Sequence, residues 1–240
     1  MSNPVLNEKF IDRTEVIGEP LTMNGVLQKT TVLFAILFMS AGFVFMKGVE
    51  GHVDTVTALT TGGAIVGFVL ALLICFTRKM FLTPLYAVAE GVFVGGLSFM
   101  MEKFYPGIVQ TAVLGTIMAI ASMLFLYSAK IIKCTEKFMA VILITTISVA
   151  GIYFVQMIGS FFNLSIPGLF GNGAVGIGFS LFVVVLAALN LIMDFHFIEQ
   201  AANQPTPKEY EWYFGFSLMV TIVWIYVEIL RLVAKLQSRD

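Results

Sequence analysis

Charge is scarce in this sequence. Asp, Glu, Lys and Arg together make up 12% of 240 residues, about half the share of an ordinary soluble domain. Histidine occurs only as His52 and His196, and cysteine only as Cys75 and Cys134. Two distant histidines cannot supply a zinc or haem site. The two distant cysteines match no metal or redox spacing and read as reduced thiols. No Gly-rich phosphate loop is present, which argues against an ATP-driven pump. Ser180 and Ser217 lie outside any Gly-x-Ser-x-Gly setting and no nucleophile-and-base set is visible, so an enzyme is not expected. A net charge of −1 offers nothing to nucleic acid. The first 28 residues carry Lys9, Arg13, Glu8, Asp12, Glu15 and Glu19. They lack the short basic stretch and apolar core of a secretory leader and read as a solvated arm, with a short surface helix near 21–27.

What the sequence has instead is length without charge. Hydrophobic residues reach 58% and cluster in seven blocks, at 30–46, 56–76, 81–101, 108–128, 138–161, 174–199 and 210–236. About 20 apolar residues cross the hydrocarbon core as a helix. A barrel strand would instead alternate apolar and polar residues. The blocks therefore predict an all-α membrane protein, a seven-helix bundle over 29–240 behind an arm at 1–28, with the lipid bilayer as its solvent. Short connections predict antiparallel neighbours. The Gly- and Pro-rich stretch 163–173 reads as a loop, and Pro205 and Pro207 break the chain before the last helix. Loop Lys and Arg number nine on the N-terminal side and five on the other, which predicts the N-terminus inside and the C-terminus outside. Gly63 with Gly67, and Gly91 with Gly95, are small-xxx-small pairs that allow close helix contact; tight packing is their simplest role.

Ionisable groups inside a membrane cost several kcal/mol and ask for a reason. Glu90, Asp194 and Glu228 fall within the predicted helices. On helix six, Ser180, Ala187, Asn190 and Asp194 share one face. Asn190 and Asp194, one turn apart, could jointly hold a proton, a cation or a guanidinium. On helix seven, Ser217, Thr221, Trp224, Glu228 and Arg231 form a polar stripe that should face other helices or a water-filled path. Thr83, Tyr86 and Glu90 share a face of helix three. Structural roles stand beside these: a salt bridge from Asp194 to Arg78, an i,i+3 bond from Glu228 to Arg231, and a protonated Glu90 bonded to Tyr86. His196 points away from Asp194 and reads as interfacial. No lysine lies mid-way along helix seven, which argues against a retinal Schiff base.

The run Leu189-Asn190-Leu191-Ile192-Met193-Asp194-Phe195 resembles the helix-six signature of the Bax inhibitor-1 family. Trp224-Ile225-Tyr226-Val227-Glu228-Ile229-Leu230-Arg231-Leu232 resembles that of its helix seven. Asn3-Pro4-Val5 and Leu21-Thr22-Met23-Asn24-Gly25-Val26 are similar to a bacterial branch, and the resemblance covers essentially the whole chain. It implies a bundle with the last helix central and a pH-sensitive passive calcium leak in the bacterial inner membrane. It further implies a carboxylate pair, falling here on Asp194 and Glu228, with Arg78 bonding Asp194 in the closed state. The acid on helix seven is Glu where the family pattern has Asp. On that resemblance the pair shares a proton and senses pH, and Glu90, Asn190, Thr221 and Ser217 line the ion path. Calcium is the permeant ion, with Asp194 and Glu228 as its ligands, and no further cofactor is expected. A monomer is expected, with a membrane-protein partner as an open alternative. The rival readings are a proton-coupled small-solute carrier, for which no internal repeat is found, and a non-transporting regulator of other membrane proteins.

Overall fold

The computed structural model describes residues 19–162 and 168–238. Seven helices follow one another: α1 (Met23–Val49), α2 (Val53–Thr77), α3 (Thr83–Phe104), α4 (Ile108–Ser128), α5 (Glu136–Phe161), α6 (Ala174–Ala202) and α7 (Tyr210–Gln237). All seven are long and apolar enough to span a bilayer. Every backbone polar group in lipid must be satisfied internally, and a helix does this within one segment. Among the described residues the one β contact is an isolated antiparallel bridge between Pro20 and Pro207.

The helices overrun the apolar blocks because capping and polar turns carry them past the hydrocarbon. The Thr22 side chain accepts from Gly25 N at 2.9 Å and starts α1 at Met23. The short surface helix expected near 21–27 is therefore the first turns of the first span, and the arm ends sooner than residue 28. Thr135 caps α5 in the same way through Phe138 N. Arg78 ends α2 in the left-handed conformation, φ 53°, and a 3-10 turn at Met80–Leu82 leads into α3. Glu102 near the end of α3 accepts from Gly107 N and Val109 N, 2.7 and 3.0 Å, tying that turn to the start of α4. Residues 1–18, with Lys9 and Arg13, and the 163–167 part of the expected loop lie outside the described residues.

Glycine decides how the first three helices meet. Gly63 of α2 lies against the backbone of Ala89 and Phe93, and Gly67 against the Glu90 carboxylate, so α2 seats on α3. Gly91 and Gly95 abut the backbone of Leu37 and Ala41 and bring α1 onto another face of α3. Both small-residue pairs thus serve close packing. The helix α7 packs against α1, α3, α4 and α6. A hydrogen bond of 2.7 Å between the buried Ser98 and Tyr226 hydroxyls pins it to α3. The helix α5 packs chiefly on α6, through Ile142 and Val149 against Val183, Leu186 and Met193.

Candidate functional site

Polar side chains gather where α5, α6 and α7 adjoin, and each acid has its own partners. Asp194, half-buried, lies eight residues before the end of α6 at Ala202, about 12 Å inside that end. Both of its oxygens accept from α7: Ser217 Oγ donates to Oδ1 at 2.7 Å and Thr221 Oγ1 to Oδ2 at 2.6 Å. Ser217 and Thr221 are one turn apart, so a single carboxylate spans both hydroxyls. These are charge-assisted bonds, roughly twice as strong as neutral ones.

Glu228 is 1% exposed and belongs to the other half of the bundle. The Tyr153 hydroxyl of α5 donates to both its oxygens, 3.0 and 3.1 Å. Arg231, one turn on, donates through one terminal nitrogen at 3.0 Å. The guanidinium also stacks over the Tyr153 ring, 4.9 Å from its centre, a cation–π contact that fixes all three groups.

The two acids are not within reach of each other. Thr221, which holds Asp194, and Glu228 are separated by seven residues of α7, about 10 Å of rise. Trp224 fills the interval, packed against both the main core and the α5–α6 cluster. The hydrogen-bonded pair implied by the resemblance is therefore replaced by two separate carboxylate sites, because their anchors on α7 lie two turns apart. Among the described residues no group of three or more His, Cys, Asp or Glu could hold a metal. The hydrogen bonds to Asp194 come from Ser217 and Thr221, and among the described residues no ion pair joins it to Arg78, the expected latch.

Asn190 does not join Asp194 either. Its amide donates to Thr146 Oγ1 of α5 and to Leu186 O, both at 2.9 Å, and so pins α5 to α6. Glu90 is half-buried between Tyr86, one turn back, and Gly67. It adjoins α2, and among the described residues no hydrogen bond joins it to Asp194 or Glu228. Ser180 is buried with its hydroxyl unbonded.

Four site residues escaped the sequence reading. Thr146 and Tyr153 lie seven positions apart on α5, on one face of the helix. That spacing was the available signal. Lys235, near the end of α7, is 6% exposed and donates to Gly176 O at 3.0 Å. Glu211, 1% exposed, accepts from Thr22 N and Thr22 Oγ1, both at 3.2 Å, and clamps the start of α1 to the start of α7. Leu21 N donates to Thr206 O beside it. No periodicity foretells a contact between chain ends 189 residues apart.

At this same face Lys208 pairs with Glu19. The Lys208 ammonium holds the Glu19 carboxyl below the usual carboxylate range. Its stabilising effect is therefore present above the unfolded carboxyl's pKa and lost as pH falls through the folded one. Both groups are exposed and screened. Lys208→Ala should leave the thermal midpoint unchanged within error at neutral pH, whereas Glu211→Ala should lower it by several degrees, at about 1–3 kcal/mol for the orphaned Thr22 donors.

A family described as Bax inhibitor 1 like matches residues 3–238, nearly the whole chain. No curated protein matches it.

Proposed function

The chain belongs to the Bax inhibitor 1 like family, and we propose that it is a passive, pH-sensitive calcium leak whose proton-responsive joint is Asp194. The observation that carries this reading is the double acceptance by Asp194 of the Ser217 and Thr221 hydroxyls across the α6–α7 contact. An ionised carboxylate only accepts, whereas a protonated one must donate from one oxygen. Protonation thus forces one of the two bonds to reverse, with a hydroxyl of α7 now accepting, and strips both bonds of charge assistance, so the weakened joint lets that helix shift against α6. Glu228, with Tyr153 and Arg231, is the second polar station on the same helix. The Trp224 indole between the two stations is the barrier that such a shift displaces. Calcium favours hard oxygen ligands, which the two carboxylates and the hydroxyls of Ser217 and Thr221 offer in sequence along the path. Flux runs down the gradient. The protein is a monomer of the bacterial cytoplasmic membrane, with the face bearing Glu19 and Lys208 inside.

The test is calcium flux into vesicles containing only the purified protein, between pH 5 and 8. Wild type should show flux that varies with pH. Asp194→Asn should flatten that dependence, and Glu228→Gln should change the size of the flux while leaving its pH response. Unchanged flux and pH response in both variants would reject the joint. Wild-type vesicles without calcium flux would favour a regulator of other membrane proteins, and proton movement driven by an added solute would favour a carrier.

A further inference from the structure

A cavity of about 390 Å³ opens between the last turns of α3 and α7, roofed by the segment leading into α6. Two cations line it, Arg231 and Lys235, one turn apart on α7. Among the described residues the carboxylate bonded beside them is Glu228, which occupies one terminal nitrogen of Arg231. A guanidinium has five N–H donors, so Arg231 keeps most of its fork for another acceptor. Lys235 is more unusual. It is 6% exposed, its one hydrogen bond goes to the Gly176 carbonyl, and no carboxylate pairs with it. A buried ammonium with two donors left over, sharing one nearby carboxylate with Arg231, is costly unless an anion completes it.

We propose that this cavity binds a phosphoryl oxyanion. A lone carboxylate would be satisfied by the Arg231 fork. An ammonium set one turn further along the same helix calls for an anion with more than two oxygens, which a tetrahedral phosphoryl group supplies. Tyr105 and Asn172, whose side chains carry neutral donors, line the same cavity. Leu97, Val227 and Leu230, which also line it, lie farther from the helix ends than Lys235, toward the middle of the spans. That division, cations at the helix ends and hydrocarbon beneath, matches an anionic phospholipid, whereas free orthophosphate shares only the oxyanion chemistry. The site shares Arg231 with the second polar station, but its cavity and Lys235 do not depend on the leak.

Binding of phosphatidylglycerol and of phosphatidylcholine to the full chain in detergent, read by native mass spectrometry, tests it, with the thermal shift in inorganic phosphate as a second arm. Phosphatidylglycerol should bind about tenfold more tightly than phosphatidylcholine, and Lys235→Met should remove that preference while Lys235→Arg keeps it. If inorganic phosphate raises the midpoint of wild type but not of Lys235→Met, and the lipids do not differ, the site stands with free phosphate as its occupant. Should Lys235→Met fail to fold, Asn172→Ala with Tyr105→Phe replaces it and should weaken the preference severalfold. Equal binding of the two lipids together with no response to phosphate would overturn the proposal. So would a preference untouched in every folded variant.

Discussion

Gly95→Leu should abolish recovery of folded protein. A Cβ at Gly95 would overlap the Ala41 backbone, and one at Gly91 the backbone of Leu37. Helix backbones cannot retreat as a flexible side chain can, so α1 would have to lift from α3 along its length. Overpacking a well-filled contact costs about 1–3 kcal/mol and more where backbone opposes it. Against the roughly 5–15 kcal/mol that holds a domain folded, a separation of two whole helices is decisive. In lipid there is no hydrophobic drive to compensate, because acyl chains are as apolar as leucine. Gly42, on α1 itself, is the control. Nothing lies within 4 Å of a Cβ there, and Gly42→Leu should fold normally, since leucine is the better helix former by about 0.8 kcal/mol. Size-exclusion profiles of the two variants in detergent decide it. Gly95→Leu running as a single wild-type-like peak would show that α1 and α3 do not meet as described.

The second large effect is expected from Ser217→Ala with Thr221→Val. Removing both hydroxyls leaves Asp194 inside the span without either of its donors. Hydrogen bonds to a charged group are worth about 1.5–3 kcal/mol each, although bonds in membrane bundles average nearer 0.6 kcal/mol. A loss of about 2–4 kcal/mol lies between these limits and should appear as a much lowered thermal midpoint. Adding Asp194→Leu should then restore much of the stability, because an apolar group replaces a stranded acid. The restored protein should show a leak that no longer responds to pH. Stability and pH response would thus separate, which a merely structural acid could not produce. If Asp194→Leu fails to rescue the double variant, the three residues do not act as one unit.

Much of this was legible in advance because lipid leaves few choices. A run of apolar residues with so little charge has to be a helix, so seven blocks became seven spans. The core of each matched to within a few residues, and 108–128 matched at both ends. The ends elsewhere shifted because capping acts beyond the hydrocarbon, as at Thr22 and Thr135. The polar stripe of α7 was also visible, since Ser217, Thr221 and Glu228 repeat at helical spacing, and all three do carry contacts to neighbouring helices. The assignment of partners failed. Asp194 and Asn190 share a face of α6, yet one reaches α7 and the other α5. A face spans enough of the helix circumference to touch two neighbours.

By itself the sequence determined the solvent, the number of spans and which side chains cannot rest in lipid, because hydropathy and the helical period act along one chain. Only the tertiary structure decided who answers each polar group. It set Ser217 and Thr221 against Asp194, Tyr153 and Arg231 against Glu228, and Thr22 against Glu211. Those pairings depend on how far the helices slide and turn against one another. Glycine contacts and backbone approach settle that in three dimensions, and no one-dimensional pattern records it.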